Sequence, residues 1–239
     1  MKPVPVILAI VALVVAGAIF WVFYSLDYIV KLALEMYGPD VLGAPVKVMQ
    51  VRISTETGEG ILKELEIGNP KGFTSTHALK VGSVKVSIAP ASITEKIVYI
   101  REVAIEGALI TYERGRDGGN LEAIQKNIEA YLRKTAGDSK AVSGGDERRR
   151  FIVERISIRG ARVTMTNPAL KGQGITFDLP EVQMQDVGKR QNGLRASEIA
   201  NLVARELIAK IAQRVLTNLE LLKKGGAAGA IDALKGIFK

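Results

Sequence analysis

From Pro3 to Tyr24 the chain carries no charged side chain, and this run limits what the rest can fold into. At about 1.5 Å rise per residue, some 20 apolar residues in helical form span a hydrocarbon core of roughly 30 Å. Trp21 and Tyr24 stand at one end of the run, where an aromatic belt belongs. Lys2 and the α-amino group favour a cytoplasmic N-terminus. The competing reading is a cleaved signal peptide, because Ala16-Gly17-Ala18 has the small-residue spacing of a cleavage site. The apolar run continues beyond it through Ile19-Phe20-Trp21-Val22-Phe23, where a cleavage region is usually more polar. An uncleaved transmembrane anchor over residues 1–26 is therefore expected. Ile29, Val30, Leu34 and Tyr37 prolong the 3–4 spacing and predict a juxtamembrane helix over 27–43, with Gly38-Pro39 as its stop.

After Gly43-Ala44-Pro45 the period changes to 2. Val84, Val86 and Ile88 alternate with Lys85 and Ser87; Val103 and Ile105 alternate with Ala104 and Glu106; Ile110 and Tyr112 alternate with Thr111 and Glu113. Such segments are strands with one apolar face. Val46 to Ser54, Ile61 to Ile67 and Ile175 to Val187 read similarly with less regular alternation.

One segment recurs. Ile100-Arg-Glu-Val-Ala-Ile-Glu-Gly-Ala-Leu-Ile-Thr-Tyr112 aligns without gaps on Val153-Glu-Arg-Ile-Ser-Ile-Arg-Gly-Ala-Arg-Val-Thr-Met165. Gly107-Ala108 and Gly160-Ala161 fall at the same place, so each copy reads as a strand, a tight glycine bend and a second strand. The competing explanation is coincidence between two similar strands. The repeat predicts a curved antiparallel β-sheet of repeated hairpins, in an α+β fold with amphipathic helices packed on it. A first hairpin unit with its helix occupies 44–134, a flexible linker 135–148, a second hairpin unit 149–187, and basic amphipathic helices 188–239.

The helices carry their own signals. Asn120 can cap one that places Leu121, Ile124, Ile128, Tyr131 and Leu132 on one face. Ala196 to Lys224 presents Val203, Leu207, Ile208, Ile211, Val215, Leu219 and Leu222 as a broad apolar stripe, and Gly225-Gly226 ends it. The net charge of +8 is concentrated here: residues 188–239 hold 10 Lys/Arg against 4 Asp/Glu. Only 13 aromatic residues exist, and they do not interleave with the basic ones as a stacking platform for nucleic acid requires. An anionic membrane surface, an acidic partner or plain solvation of a basic face remain as readings of the charge.

Chemistry-bearing patterns are missing. The chain has no cysteine and one histidine, His77, which reads as an exposed surface residue. Zinc, iron–sulfur and thiol chemistry therefore have no ligand set. Gly115-Arg-Asp-Gly-Gly-Asn120 lacks the Lys-Ser/Thr of a phosphate-cradling loop, and no Gly-x-Ser-x-Gly elbow occurs. Glu64 and Glu66 are paired carboxylates at i,i+2 on a polar strand face, where solvated charge is the ordinary explanation. No enzyme activity, metal or cofactor is expected.

Several short stretches resemble the AsmA-like family of envelope proteins, shorter members included. They are Leu42-Gly43-Ala44-Pro45-Val46, Leu65-Glu66-Ile67-Gly68-Asn69-Pro70-Lys71-Gly72-Phe73 and Ala89-Pro90-Ala91-Ser92-Ile93. The Ile105-Glu106-Gly107-Ala108 bend, Gly119-Asn120-Leu121 and the closing Leu234-Lys235-Gly236-Ile237-Phe238 complete the set. The likeness covers nearly the whole chain, but each motif is structural, so it speaks for fold and not for activity. Asn-Pro-x-Gly-Phe is also similar to a motif of LEA-type water-stress domains, which leaves a second family open.

The AsmA-like resemblance implies a taco-shaped sheet anchored in the bacterial inner membrane, with the bulk of the chain in the periplasm. It implies membrane lipid as a ligand, and other envelope proteins or further copies of the chain as partners. Acyl chains would lie along Val84, Val86, Ile88, Val103, Ile105, Ile110 and Ile156, with Gly72, Gly107 and Gly160 as structural turns. Two functions stay open: lipid handling in an envelope complex, or a scaffold subunit carrying no lipid. They part on whether helices close the apolar sheet face.

Overall fold

Several neighbouring strands of the sheet change which of their residues face the core along one transverse row, and that row shapes the fold. A computed structural model describes residues 26–115, 118–137, 149–166 and 174–224. The elements are α1 (26–42), β1 (Val46–Ser54), β2 (Glu59–Ile67), β3 (Leu79–Ile88), β4 (Ile97–Gly115), β5 (Gly118–Gly119), α2 (Asn120–Gly137), β6 (Arg150–Arg159), β7 (Arg162–Thr166), β8 (Ile175–Asp178), β9 (Val182–Val187) and α3 (Ala196–Lys224). Among the described residues the fold is α+β: a large, open, mostly antiparallel sheet with three α-helices. The uncharged run at 3–24 lies outside the described residues, as does most of the 135–148 linker. Among the described residues no helix is long and apolar enough to cross a membrane.

β1 to β4 form an antiparallel meander, and the sheet continues in the order β1-β2-β3-β4-β6-β9. The repeat predicts hairpins, and the structure corrects this. β4 runs unbroken from Ile97 to Gly115, and β6 and β7 do not pair with each other. The two copies instead lie side by side and parallel, Ile100 opposite Val153 and Ile110 opposite Val163, keeping the 53-residue offset throughout. One left-handed residue diverts a strand, whereas reversing it takes the paired central residues of a turn. Parallel neighbours need a long crossover, and here α2 lies within it.

The shared row explains the diversion. Inward apolar positions in β3 are Leu79 and Val81, then Val84 and Val86; in β4 they are Val103 and Ile105, then Ala108 and Ile110. In β6 and β7 they are Ile156 and Ile158, then Ala161 and Val163. Two consecutive residues face away wherever the sequence skips. The registers align these skips: Glu64 lies opposite Gly82, Gly82 opposite Gly107, and Gly107 beside Gly160. Glu64, Gly107 and Gly160 have φ of 51°, 66° and 61°. A Cβ on Gly107 would meet nothing within 4 Å, so backbone angle and not space selects glycine there. The apolar face therefore stays continuous across a crease.

Three smaller expectations also change. Gly38-Pro39 does not stop α1, which continues to residue 42. Gly43, at φ 63°, closes it by donating its N–H to Pro39 O at 2.8 Å, while Gly38 allows close approach to Val46. The segment 175–187 is two strands, broken at Leu179-Pro180, where proline has no N–H for a ladder. Residues 135–137 belong to α2 and not to a linker.

Candidate functional site

The apolar sheet face is covered by α2 and α3, yet the cover is incomplete. Leu121, Ile124 and Ile128 of α2 and Ile211 and Val215 of α3 are buried against the sheet, as their helical spacing predicts. Between them remains a cleft of about 280 Å³ whose 18 lining residues are all Leu, Ile, Val or Ala. Its floor straddles the crease, with Leu79, Val81, Ala108 and Ile110 on one side and Val84, Ile105 and Ile158 on the other. Its roof includes Ala200, Val203, Ala204, Leu207 and Ile208 of α3, all only partly buried. Leu42, the last residue of α1, stands at its margin. The volume is near the lower end of the roughly 300–1,000 Å³ of small-molecule clefts. It is about twice an engineered ~150 Å³ apolar cavity that stays dry and binds benzene.

Of the seven residues expected to hold acyl chains, Val84, Ile105 and Ile110 line the cleft. Val86 and Val103 pack half-buried against the same cluster. Ile156 belongs to a second, closed cluster with Val153 and Val187. Ile88 shares the face but lies at a register shift opposite Ile100 and joins neither cluster. Sequence reasoning missed Val81, Ala108 and Ile158 in particular. The signals were present: the alternation slips at the Gly-Ala bend, which brings Ala108 into line with Ile105, and the 53-residue repeat sets Ile158 beside Ile105.

A polar knot seats α2 over the cleft. The Asn120 side chain accepts the N–H of Leu121 at 2.9 Å and of Glu113 at 3.0 Å, and donates to Thr111 O and Asn69 Oδ1 at 2.7 Å each. Asn69 in turn donates to Ser75 O at 2.6 Å. Glu113 is 1% exposed; it accepts the N–H groups of Thr74 and Ser75 at 2.9 and 2.6 Å and their hydroxyls at 2.8 and 2.5 Å. Burial by itself would raise the Glu113 carboxyl, but these hydrogen bonds from Ser75 and Thr74 outweigh it and hold the group below the ordinary glutamate range. Two of the motifs singled out in the sequence, Asn69-Pro70-Lys71-Gly72-Phe73 and Gly119-Asn120-Leu121, thus meet in one network. Gly72, the turn glycine of the first, has φ 98°.

Other titratable groups form no constellation at the cleft. Burial, then the neighbouring Glu122, raises the Tyr112 phenol, which donates to Glu122 Oε1 at 3.0 Å. His77 is half-buried and not exposed, and burial lowers its pKa. Among the described residues no three His, Cys, Asp or Glu side chains gather as a metal site. Glu66 pairs with Lys80 at 3.2 Å on the outer face. The chain matches no family model and none of the curated proteins it was compared with.

Proposed function

We propose that the protein is a non-enzymatic envelope protein, held in the bacterial inner membrane by residues 3–24, that shelters a lipid acyl chain in the periplasm. The observation that carries this reading is the cleft: about 280 Å³ lined by apolar side chains alone. Leaving such a surface to water costs about 25 cal/mol per Å², which a hydrocarbon chain recovers. The resemblance of the Asn-Pro-x-Gly-Phe, Gly-Ala and Gly-Asn-Leu stretches to the AsmA-like family supports the same reading. Six strands in a row at about 4.8 Å give a sheet only some 25 Å wide. A sheet of that width favours lipid handling within a larger assembly of envelope proteins or further copies over bridging two membranes alone.

The scaffold reading has its own support in the second cluster, where Val153, Ile156 and Val187 are closed over by the start of α3. Native mass spectrometry of the detergent-extracted protein separates the two. We expect the parent to carry lipid and Ala204→Phe, which fills the cleft without adding a polar group, to be folded and lipid-free. A folded parent without lipid would leave the scaffold as the function.

A further inference from the structure

α1 is built the wrong way round for a helix on a water-soluble domain. Its charged residues up to position 35 are Asp27, Lys31 and Glu35, spaced i, i+4, i+8 on one face. That face is turned to the protein. Asp27 accepts the N–H of Ile53 at 2.8 Å, Lys31 donates to Met49 O at 3.2 Å, and Glu35 accepts the N–H of Val48 at 2.9 Å. Among the described residues β1 pairs with β2 alone, so these side chains blunt an edge that would otherwise offer free backbone groups.

The consequence is an exterior that is uncharged from Tyr28 to Tyr37, with Asp40 exposed in the last turn. Tyr28, Leu32, Met36, Ile29 and Tyr37 are 65%, 41%, 56%, 44% and 51% exposed. At about 100° per residue they sweep roughly half the helix circumference. Beside them β1 exposes Lys47, Met49 and Arg52. From Tyr28 to Tyr37 the arc carries no charged side chain to specify a protein partner, and a protein interface carries a polar rim; Asp40 is exposed only beyond it, in the last turn of α1. It is flanked by cations, which suit anionic headgroups. The uncharged run ends at Tyr24, two residues before the first described helical residue.

We infer that α1 lies in the interface of a phospholipid bilayer, its apolar arc in the acyl chains and its charged stripe on β1. The β1 edge of the sheet is thereby held at the membrane surface. This rests on the anchor assigned to residues 3–24. An interfacial helix of this kind sinks about 5–10 Å into the headgroup–acyl boundary.

The absence of cysteine makes the test direct. Tyr28→Cys, Leu32→Cys and Met36→Cys, each labelled with an environment-sensitive fluorophore, are placed as full-length protein in phosphatidylcholine–phosphatidylglycerol vesicles. We expect quenching by lipid-borne nitroxide and protection from aqueous iodide. Leu109→Cys and Leu216→Cys, exposed apolar positions elsewhere, should behave in the opposite way. Ala12→Cys reports the anchor separately. If Ala12→Cys is in lipid while the three α1 positions are open to iodide, the inference fails and the anchor stands. If Ala12→Cys is open to iodide too, the anchor fails with it. Protection of the α1 positions from both quenchers would assign the arc to a protein partner and overturn the inference.

Discussion

Two parts of one apolar sheet face meet different fates. Around Val153, Ile156 and Val187 the face is sealed, whereas around Val81, Ile105 and Ile158 it holds a cleft. Strand chemistry does not distinguish them, because both parts are β-branched and aliphatic. The cover does. Over the sealed part, α3 and the loop before it supply Leu194, Ile199 and Leu202; over the cleft α3 sets Ala200 and Ala204 among Val203, Leu207 and Ile208, and the sheet contributes Ala108. Small residues on both walls leave the volume of missing methyl and methylene groups unfilled. A core and a binding cleft differ here by side-chain size at a few positions of one helix.

Polar substitution in the two parts should break them unequally. Ile156 is 2% exposed, so Ile156→Asn combines a lost large side chain with a stranded amide and should cost about 4 kcal/mol or more. Ile105 borders the open cleft, and Ile105→Asn should cost only about 1–2 kcal/mol, since its amide can reach water. Equal losses in urea denaturation would mean that the cleft is as dry and closed as the core.

The knot that seats α2 gives the next effect. Glu113→Gln cannot accept from Thr74 and Ser75 at both oxygens and should lose about 1–3 kcal/mol at neutral pH. The carboxyl is lowered from its ordinary value of about 4.5 in the folded state. Its contribution is therefore complete above the unfolded-state value and is lost as pH falls through the folded one. The stability gap between parent and Glu113→Gln should close on acidification; a gap constant down through that range would show that charge is not what holds the loop.

Along the crease, Gly107→Val and Gly160→Val should each cost about 1–3 kcal/mol, because valine resists a left-handed backbone. Two variants that melt like the parent would make the crease an ordinary stretch of strand. The smallest effect belongs to Ala204→Phe, whose added volume enters existing space and should shift stability by less than about 1.5 kcal/mol. A larger loss would show that the cleft collapses in solution.

Element type and the faces of the helices were legible in the residues. The β1 span, the start of α2 at Asn120 and the full length of α3 follow from period, cap and stripe, which are local properties. The 53-residue repeat also announced that two copies share a sheet. Their direction was not legible, because a Gly-Ala pair is compatible with a reversal or a bend. Only pairing to β3 on both sides of Gly107 decides for the bend. The site was half legible for the same reason: Val84, Ile105 and Ile110 were found by alternation, Val81 and Ala108 were hidden by its slip, and Ile158 joins the cleft because it pairs beside Ile105.

What the sequence alone determined is the uncharged N-terminal run, the lack of cysteine with a single histidine, and one-sided strands and helices that must bury their apolar faces together. What only the tertiary structure decided is the parallel pairing of the repeats, the alignment of left-handed residues into one crease, and the cleft left between sheet and α3. The reason is physical: periodicity and backbone preference act within a few residues, whereas register and unfilled volume depend on which distant side chains come to face each other.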